Sequence, residues 1–312
     1  MTSAVVAAPQ RRCEVCGSPR TRVLRHSAAW GFDVARCRDC DMVFVLDPPS
    51  AQVLEEAYSA GGDVDAYANA QRGDEDFRIG VLARIRGLLG VAAGTASEPL
   101  LFDVGAGTGD FLLLARAHGF QVAGNELGPR AIAFTRDRHG IELSPLLLGD
   151  QPPASVDVVT MWCVLAHVND PAAFLREALA MLRPGGVLFL RTPRWCLIDT
   201  LGTFAARASR GALSRIADRR VTAAHMHLYT ARNLAQLLRT TGFADVDVQP
   251  ACHFPFRTGV YLDSTGISGR LLRPAERLFD ALITREWFVR NTLLVYARRP
   301  AAPPPSGAVT DG

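Results

Sequence analysis

The stretch LLFDVGAGTGDFLLLARAHGF, Leu100 to Phe120, constrains the fold of this chain more than any other. A run of apolar residues closes on Asp103, glycines follow at Gly105, Gly107 and Gly109, and an amphipathic helical pattern begins at once. Strand, tight turn and helix in that order open a parallel α/β sheet, because parallel neighbours need a crossover and a helix supplies it. Glycine is needed where the backbone takes positive φ or lets a ligand come close. The turn is therefore a packing turn or a ligand cradle.

The same alternation continues downstream. Strands are expected over 100–104, 121–126, 156–162, 186–193, 245–251 and 292–299, and helices over 109–118, 129–139, 171–182 and 230–241. Asp170 and Pro171 form an N-cap followed by proline at the first helical position, and RPGG after that helix is a natural stop. The order implies an α/β domain over 98–299 with helices on both faces of its sheet. Inserts at 194–224 and 252–291 lie where substrate pockets form. Residues 47–97 read as a polar helical linker or lid that contains Tyr58 and Tyr67, and the Pro- and Ala-rich residues 300–312 as a disordered tail.

Charge narrows the partners. All 34 basic residues are Arg, set against 31 acidic ones, and a net charge of +3 is too small to imply nucleic acid or a membrane by itself. MTSAVVAAPQRRCEVC lacks the apolar centre of a signal peptide, and no stretch approaches the roughly 18 apolar residues of a membrane span. The expectation is a soluble cytoplasmic protein.

The ligand follows from the turn's departures. A dinucleotide turn reads G-x-G-x-x-G, whereas here the third glycine comes one residue early, and no Gly-Lys-Ser/Thr follows to make a phosphate loop. Asp103 at the strand end suits a cation better than a phosphate. Glu126, at the end of the second strand, can accept both hydroxyls of a ribose. Asp150, in LLLGDQPP, falls where an adenine amino group needs an acceptor, or is a surface turn residue. Ammonium, ribose and adenine without phosphate describe S-adenosylmethionine.

With VDVVTMWCVLAHVNDPAAFLREALAMLRPGGVLFLRTP and HMHLYTARNLAQLLRTTGF, these motifs resemble the class I S-adenosylmethionine-dependent methyltransferases over 98–299. The resemblance implies a Rossmann-like seven-stranded sheet with helices on both faces. It places the cofactor at Asp103, Gly105, Gly107, Gly109, Glu126 and Asp150, with Trp162 as core or as a wall for the adenine. A nucleotide-binding oxidoreductase of similar architecture is the alternative.

CEVC at 13–16 and CRDC at 37–40 are C-x2-C pairs twenty residues apart. This spacing suits a structural zinc site of Cys13, Cys16, Cys37 and Cys40 within a ribbon at 11–46. So short a module cannot build a sufficient core, so metal supplies its folding energy. Four thiolates leave no open position for catalysis. A zinc ribbon ahead of such a domain resembles a methyltransferase subfamily whose members open C-x-x-C-G and continue F-x-x-x-R-C-x-x-C-x-x-V-F; this chain has FDVARCRDCDMVFVLDPP. Members act on small molecules, including sugars and natural products. Its sugar C-methyltransferases carry a further C-terminal domain and a His-Glu-His, where this chain has Ala223-Ala224-His225. That favours O- or N-methylation.

Methyl transfer is an in-line displacement in which placing the acceptor does most of the work, and a hydroxyl acceptor must also lose a proton. His225 is the preferred base and His167 the second candidate. His225 and His227, at alternate positions, are expected to point the same way. Cys163 reads as a small buried hydrophobe. Six Arg against Asp199 and Asp218 between 194 and 220 suggest a basic helix that receives an anionic or carrier-linked acceptor. The leading expectation is a small-molecule O-methyltransferase of natural-product or sugar metabolism. The alternatives are C- or N-methylation of a nucleotide sugar, an RNA or DNA methyltransferase gripping through the ribbon, and a non-catalytic cofactor-binding module.

Overall fold

The computed structural model describes residues 11–27, 30–50, 52, 53, 56, 74–91, 98–209, 214–221, 225–253, 257–264, 267–284 and 290–301. Tyr58, Tyr67, Ala223, Ala224 and nearly all of the expected tail lie outside them. The ribbon has β1 (Thr21–Ser27), β2 (Phe32–Cys37) and β3 (Val43–Val45). The helix α1 (Glu75–Leu89) leads into β4 (Leu100–Val104), α2 (Asp110–Ala117), β5 (Gln121–Asn125), α3 (Pro129–His139) and β6 (Val156–Trp162). Then come α4 (Pro171–Met181), β7 (Leu182–Pro193), α5 (Leu197–Ala208), α6 (Arg215–Arg220), β8 (His227–Leu228) and α7 (Ala231–Thr240). β9 (Ala244–Ala251), α8 (Thr258–Ser264), α9 (Leu272–Thr284) and β10 (Thr292–Arg298) complete the order.

The large sheet runs β5-β4-β6-β7-β10-β9, parallel except for β10, which is antiparallel to both neighbours. Its strands alternate by twos. Leu101, Val158, Val187 and Phe189 face α1 and α2 through Val81, Leu82, Ile85, Phe111 and Leu112. Phe102, Val159, Leu188 and Leu190 face the core that holds Leu175, Ala178, Leu234 and Leu238 of α4 and α7. A sheet buried on both faces needs apolar residues at successive positions, which is why β4 and β6 read as continuous apolar runs. Asp170 caps α4 as expected, its carboxylate accepting from Ala173 N at 2.8 Å.

The expected strand count needs correction. Among the described residues the large sheet has six strands rather than seven, and beyond β5 there is one isolated bridge, Asn125 to Ser144. Pro145 follows at once and has no N–H to extend the ladder. Of the six Arg between 194 and 220, Arg210 and the side chains of Arg215 and Arg219 lie outside what the structure describes. Asp199 and Asp218 are buried and paired with Arg220 and Arg25, while α5 turns Leu197, Leu201 and Phe204 to solvent at 60%, 58% and 71% exposure.

The ribbon does not stand apart. Its sheet runs β1-β2-β3-β8, so its fourth strand is borrowed from the segment just before α7. Cys13, Val15, Cys37, Cys40, Met42 and Phe44 belong to the same buried cluster as Leu165, Leu190 and Tyr229. No helix among the described residues is long and apolar enough to cross a membrane.

Candidate active site

The glycine turn sits at the carboxyl end of β4. Gly105, Gly107 and Gly109 have φ of +63°, +56° and +73°, the left-handed region that L side chains avoid. Around Gly107 there is open space, while a Cβ on Gly109 would lie 2.4 Å from Thr135 Cγ2. Gly109 therefore serves close packing of α2 on α3, and Gly107 leaves room for a ligand. Backbone amides of the turn are held by β5 and the residue after it: Gly105 N donates to Asn125 Oδ1 at 3.1 Å and Gly107 N to Glu126 Oε2 at 2.9 Å. Glu126 Oε1 also accepts from Leu127 N and Gly128 N at 2.8 and 3.0 Å. A carboxylate fixed by three amides keeps about one of its four acceptor sites for a ligand's hydroxyl.

Asp103 is buried under this turn and accepts from Thr160 Oγ1 at 2.5 Å. Burial pushes its carboxyl up to about 7, against the opposing effects of Thr160 and Arg78. A buried acid of this kind suits a cationic ligand, whose charge replaces the lost hydration. Asp150 is exposed in a short 3-10 turn, Leu148–Asp150, and its charge, with burial, raises Glu177 of α4. Trp162 ends β6 half-buried, with Phe111 and Phe189 at 4.8 and 4.9 Å and the Arg78 guanidinium 5.6 Å from its ring.

The second centre follows β6 directly. Cys163, His167 and His225 bring one ligand-capable atom each within 4.8 Å of one another. Cys163 Sγ lies 3.5 Å from His225 Nε2, and the rings of His167 and His225 are 4.7 Å apart, edge to face. Cys163 takes φ +69°, which a non-glycine residue adopts only when its surroundings impose it. Its expected role as a plain hydrophobe is thus corrected: the thiol belongs to a polar cluster. Burial would raise this thiol, but the His167 hydrogen bond and the charge of Arg191 outweigh it and bring it below its ordinary value. His225 is pushed down to about 4 by burial, then by Arg220 and Arg191, and so stays neutral at physiological pH. The cluster adjoins the glycine turn, since a Cβ on Gly105 would come within 3.0 Å of Val164 Cγ2.

His227 does not share this centre. It is buried in β8, with Nε2 2.7 Å from Glu14 Oε2 in the first cysteine knuckle. Alternation did not give the two histidines common surroundings, because the ribbon pairs with the second one.

Four groups escaped the sequence reading. His253, just past β9, is buried with Nε2 2.9 Å from Asp74 Oδ2 and its ring stacked 4.4 Å from Phe77. Arg78 Nε lies 2.6 Å from Asp74 Oδ1. Arg191 is buried in β7, and its charge lowers both His225 and His253. A charged residue inside the apolar FLRTP was a visible signal for Arg191, and a position past a strand end was one for His253. Asp74 and Arg78 had none.

Cys13, Cys16, Cys37 and Cys40 are free thiols whose sulfurs all lie within 4.8 Å of one another, with Cys13–Cys40 at 3.5 Å and Cys16–Cys37 at 3.6 Å. Tetrahedral zinc with sulfur at its usual distance separates ligands by about 3.8 Å, so this donor set fits a closed zinc site.

Residues 81–248 match the family model described as a methyltransferase domain. The chain is 33% identical over 109 residues to the ubiquinone biosynthesis O-methyltransferase of Bordetella bronchiseptica, covering 32% of this chain but only 45% of that one. It is 30% identical over 174 residues to the ubiquinone biosynthesis O-methyltransferase of Xanthomonas campestris pv. campestris, covering 53% of this chain and 70% of that one. Among solved structures it is similar in fold to Haemonchus contortus phosphoethanolamine N-methyltransferase 2 in complex with S-adenosyl-L-methionine. That match has 16% identity and a TM-score of 0.50, covering 72% of this chain and 52% of that one.

Proposed function

The chain belongs to the methyltransferase-domain family, and from that premise we propose that it transfers the methyl group of S-adenosylmethionine to a hydroxyl of a small molecule. The carrying observation is adjacency: the Cys163–His167–His225 cluster stands against the glycine turn through Val164 and Gly105. A neutral base beside a sulfonium cradle is what O-methylation requires. The O-methyltransferase names of its relatives support oxygen as the atom methylated, and the ribbon resemblance supports a natural-product or sugar acceptor.

When bound, S-adenosylmethionine supplies an activated methyl whose sulfur leaves with the C–S electron pair. Gly107 would give it room, Glu126 would accept from its ribose, Asp103 would meet its ammonium, Trp162 would wall the pocket and Asp150 would serve the adenine amino group. On the acceptor side burial, helped by the charges of Arg220 and Arg191, holds His225 neutral, and those charges also favour an oxyanion. As the acceptor oxygen forms its bond to the methyl carbon, His225 takes the hydroxyl proton, and His167 and Cys163 hold the imidazole in place. Zinc, bound by Cys13, Cys16, Cys37 and Cys40, supplies structure only.

The test is release of S-adenosylhomocysteine with labelled-methyl cofactor, first against a panel of small hydroxylated molecules and then against bulk tRNA and rRNA. Acceptor-dependent release with a phenol or sugar hydroxyl is expected. Incorporation into RNA alone would falsify the reading.

A further inference from the structure

The ribbon's contacts with the rest of the chain fall on the acceptor end. Met226 N donates to Ala166 O at 2.8 Å and Met226 O accepts from Val45 N at 3.1 Å, so one residue ties β3 to the turn that carries His167. His227 and Leu228 pair with Phe44 and Val43 across β3. Both knuckles reach the same segment: Glu14 meets His227 at 2.7 Å, and the carbonyl of Cys40 accepts from Asn233 Nδ2 at 3.1 Å. Below them Arg11 donates to Asn169 O at 3.4 Å and Asn169 Nδ2 to Pro49 O at 3.3 Å. Ser27 Oγ donates to buried Asp218 at 2.8 Å, in the helix that ends at Arg220. None of these contacts touches Leu100–Gly128, the cofactor cradle.

We propose that the cysteine ribbon is the positioning scaffold of the acceptor end. Metal at Cys13, Cys16, Cys37 and Cys40 fixes Glu14 and the Cys40 carbonyl, and these hold the segment that sets His225 against Cys163 and His167. The inference rests on reading that cluster as the acceptor end. The physical ground is that β8 has only two residues and that its strand pairing is with β3 of the ribbon. So short a segment is ordered by its neighbours, and the neighbour is a module whose own order depends on metal. Glu14 and His227 are therefore positioning residues.

Hydrogen exchange read by mass spectrometry on the full chain, zinc-loaded and after a strong chelator, tests this without any acceptor. Chelation is expected to speed exchange at least about tenfold in 163–170 and 225–233 while sparing 100–128, with S-adenosylmethionine affinity by calorimetry unchanged within about twofold. Glu14→Ala is expected to keep one zinc per chain and still loosen 225–233; Glu14→Gln, which retains an oxygen toward His227, is expected to restore protection. Three results would each overturn the proposal. They are a purified chain without zinc, unchanged protection of 163–170 and 225–233 once zinc is gone, and equal loosening of 100–128. If His225→Ala keeps full turnover while the exchange pattern holds, the acceptor reading falls and the coupling stands.

Discussion

The proposed cofactor end and the proposed acceptor end of this molecule are built on opposite plans. The cofactor end rests mainly on one stretch, Leu100 to Gly128, in which backbone does most of the positioning, with Asp150 and Trp162 joining it from further along the chain. Two amides of the turn are held by Asn125 and Glu126 some twenty residues on. The proposed acceptor end draws single side chains from separate segments: Cys163 and His167 after β6, Arg191 in β7 and His225 before β8. A contiguous backbone site is fixed by local geometry. A dispersed side-chain site is fixed by everything packed behind it.

The comparison breaks most sharply at His225. Replacing it with Ala is expected to lower turnover about 100- to 10,000-fold, the range for losing a general base, and to leave cofactor affinity within about twofold. S-adenosylhomocysteine release and calorimetry on the same preparation read the two halves separately. Equal loss in both would mean that the two ends are one site.

Inside the cofactor end, two glycines separate packing from binding. Gly109→Ala drives a methyl to 2.4 Å from the buried Thr135 at positive φ and is expected to destabilise the chain by about 2 to 4 kcal/mol. Gly107→Ala meets no atom; it costs about 1 to 2 kcal/mol of conformational strain but places its methyl where the ligand belongs, so affinity drops about tenfold or more. Urea unfolding and calorimetry distinguish them. Similar losses of stability in both variants would make the whole turn a packing device.

The same difference in plan explains what could be read from sequence. β4 and β6 fall on their expected residues, as does α3, because strand period, glycine turn and caps are local signals. The residues proposed for the cofactor were picked out by the same local signals. Cys163 and His167 were visible as positions past a strand end, but their grouping with His225 was not, since it depends on β8 joining the ribbon. His227 looked equivalent to His225 until that pairing sent it to Glu14. Asp74 had nothing in its neighbourhood to mark it, because its partner lies on the far side of the sequence. The seven strands came from the family resemblance and from no local signal, and past the Asn125–Ser144 bridge Pro145 offers no N–H to continue a ladder.

The two ends also carry opposite pH signatures. His225 is held near 4 against an ordinary 6.5. In that window the unfolded chain binds the extra proton, so its contribution to stability is present above 6.5 and lost as pH falls toward 4. Asp103 is held near 7 against an ordinary 3.8. Between those values the folded chain keeps a proton that the unfolded chain has released, so this group's contribution is lost as pH rises toward 7. A ligand ammonium beside Asp103 favours its ionised form. Binding of S-adenosylmethionine near pH 6 is therefore expected to release close to one proton, and affinity to rise about tenfold per pH unit below 7 and level off above it. Calorimetry in two buffers of different ionisation heat measures the release, and Asp103→Asn should abolish both the release and the slope. Flat affinity from pH 5.5 to 7.5 without proton release would assign Asp103 to holding Thr160 alone, and would move recognition of the cation from the side chain beneath the turn to the turn's own carbonyls.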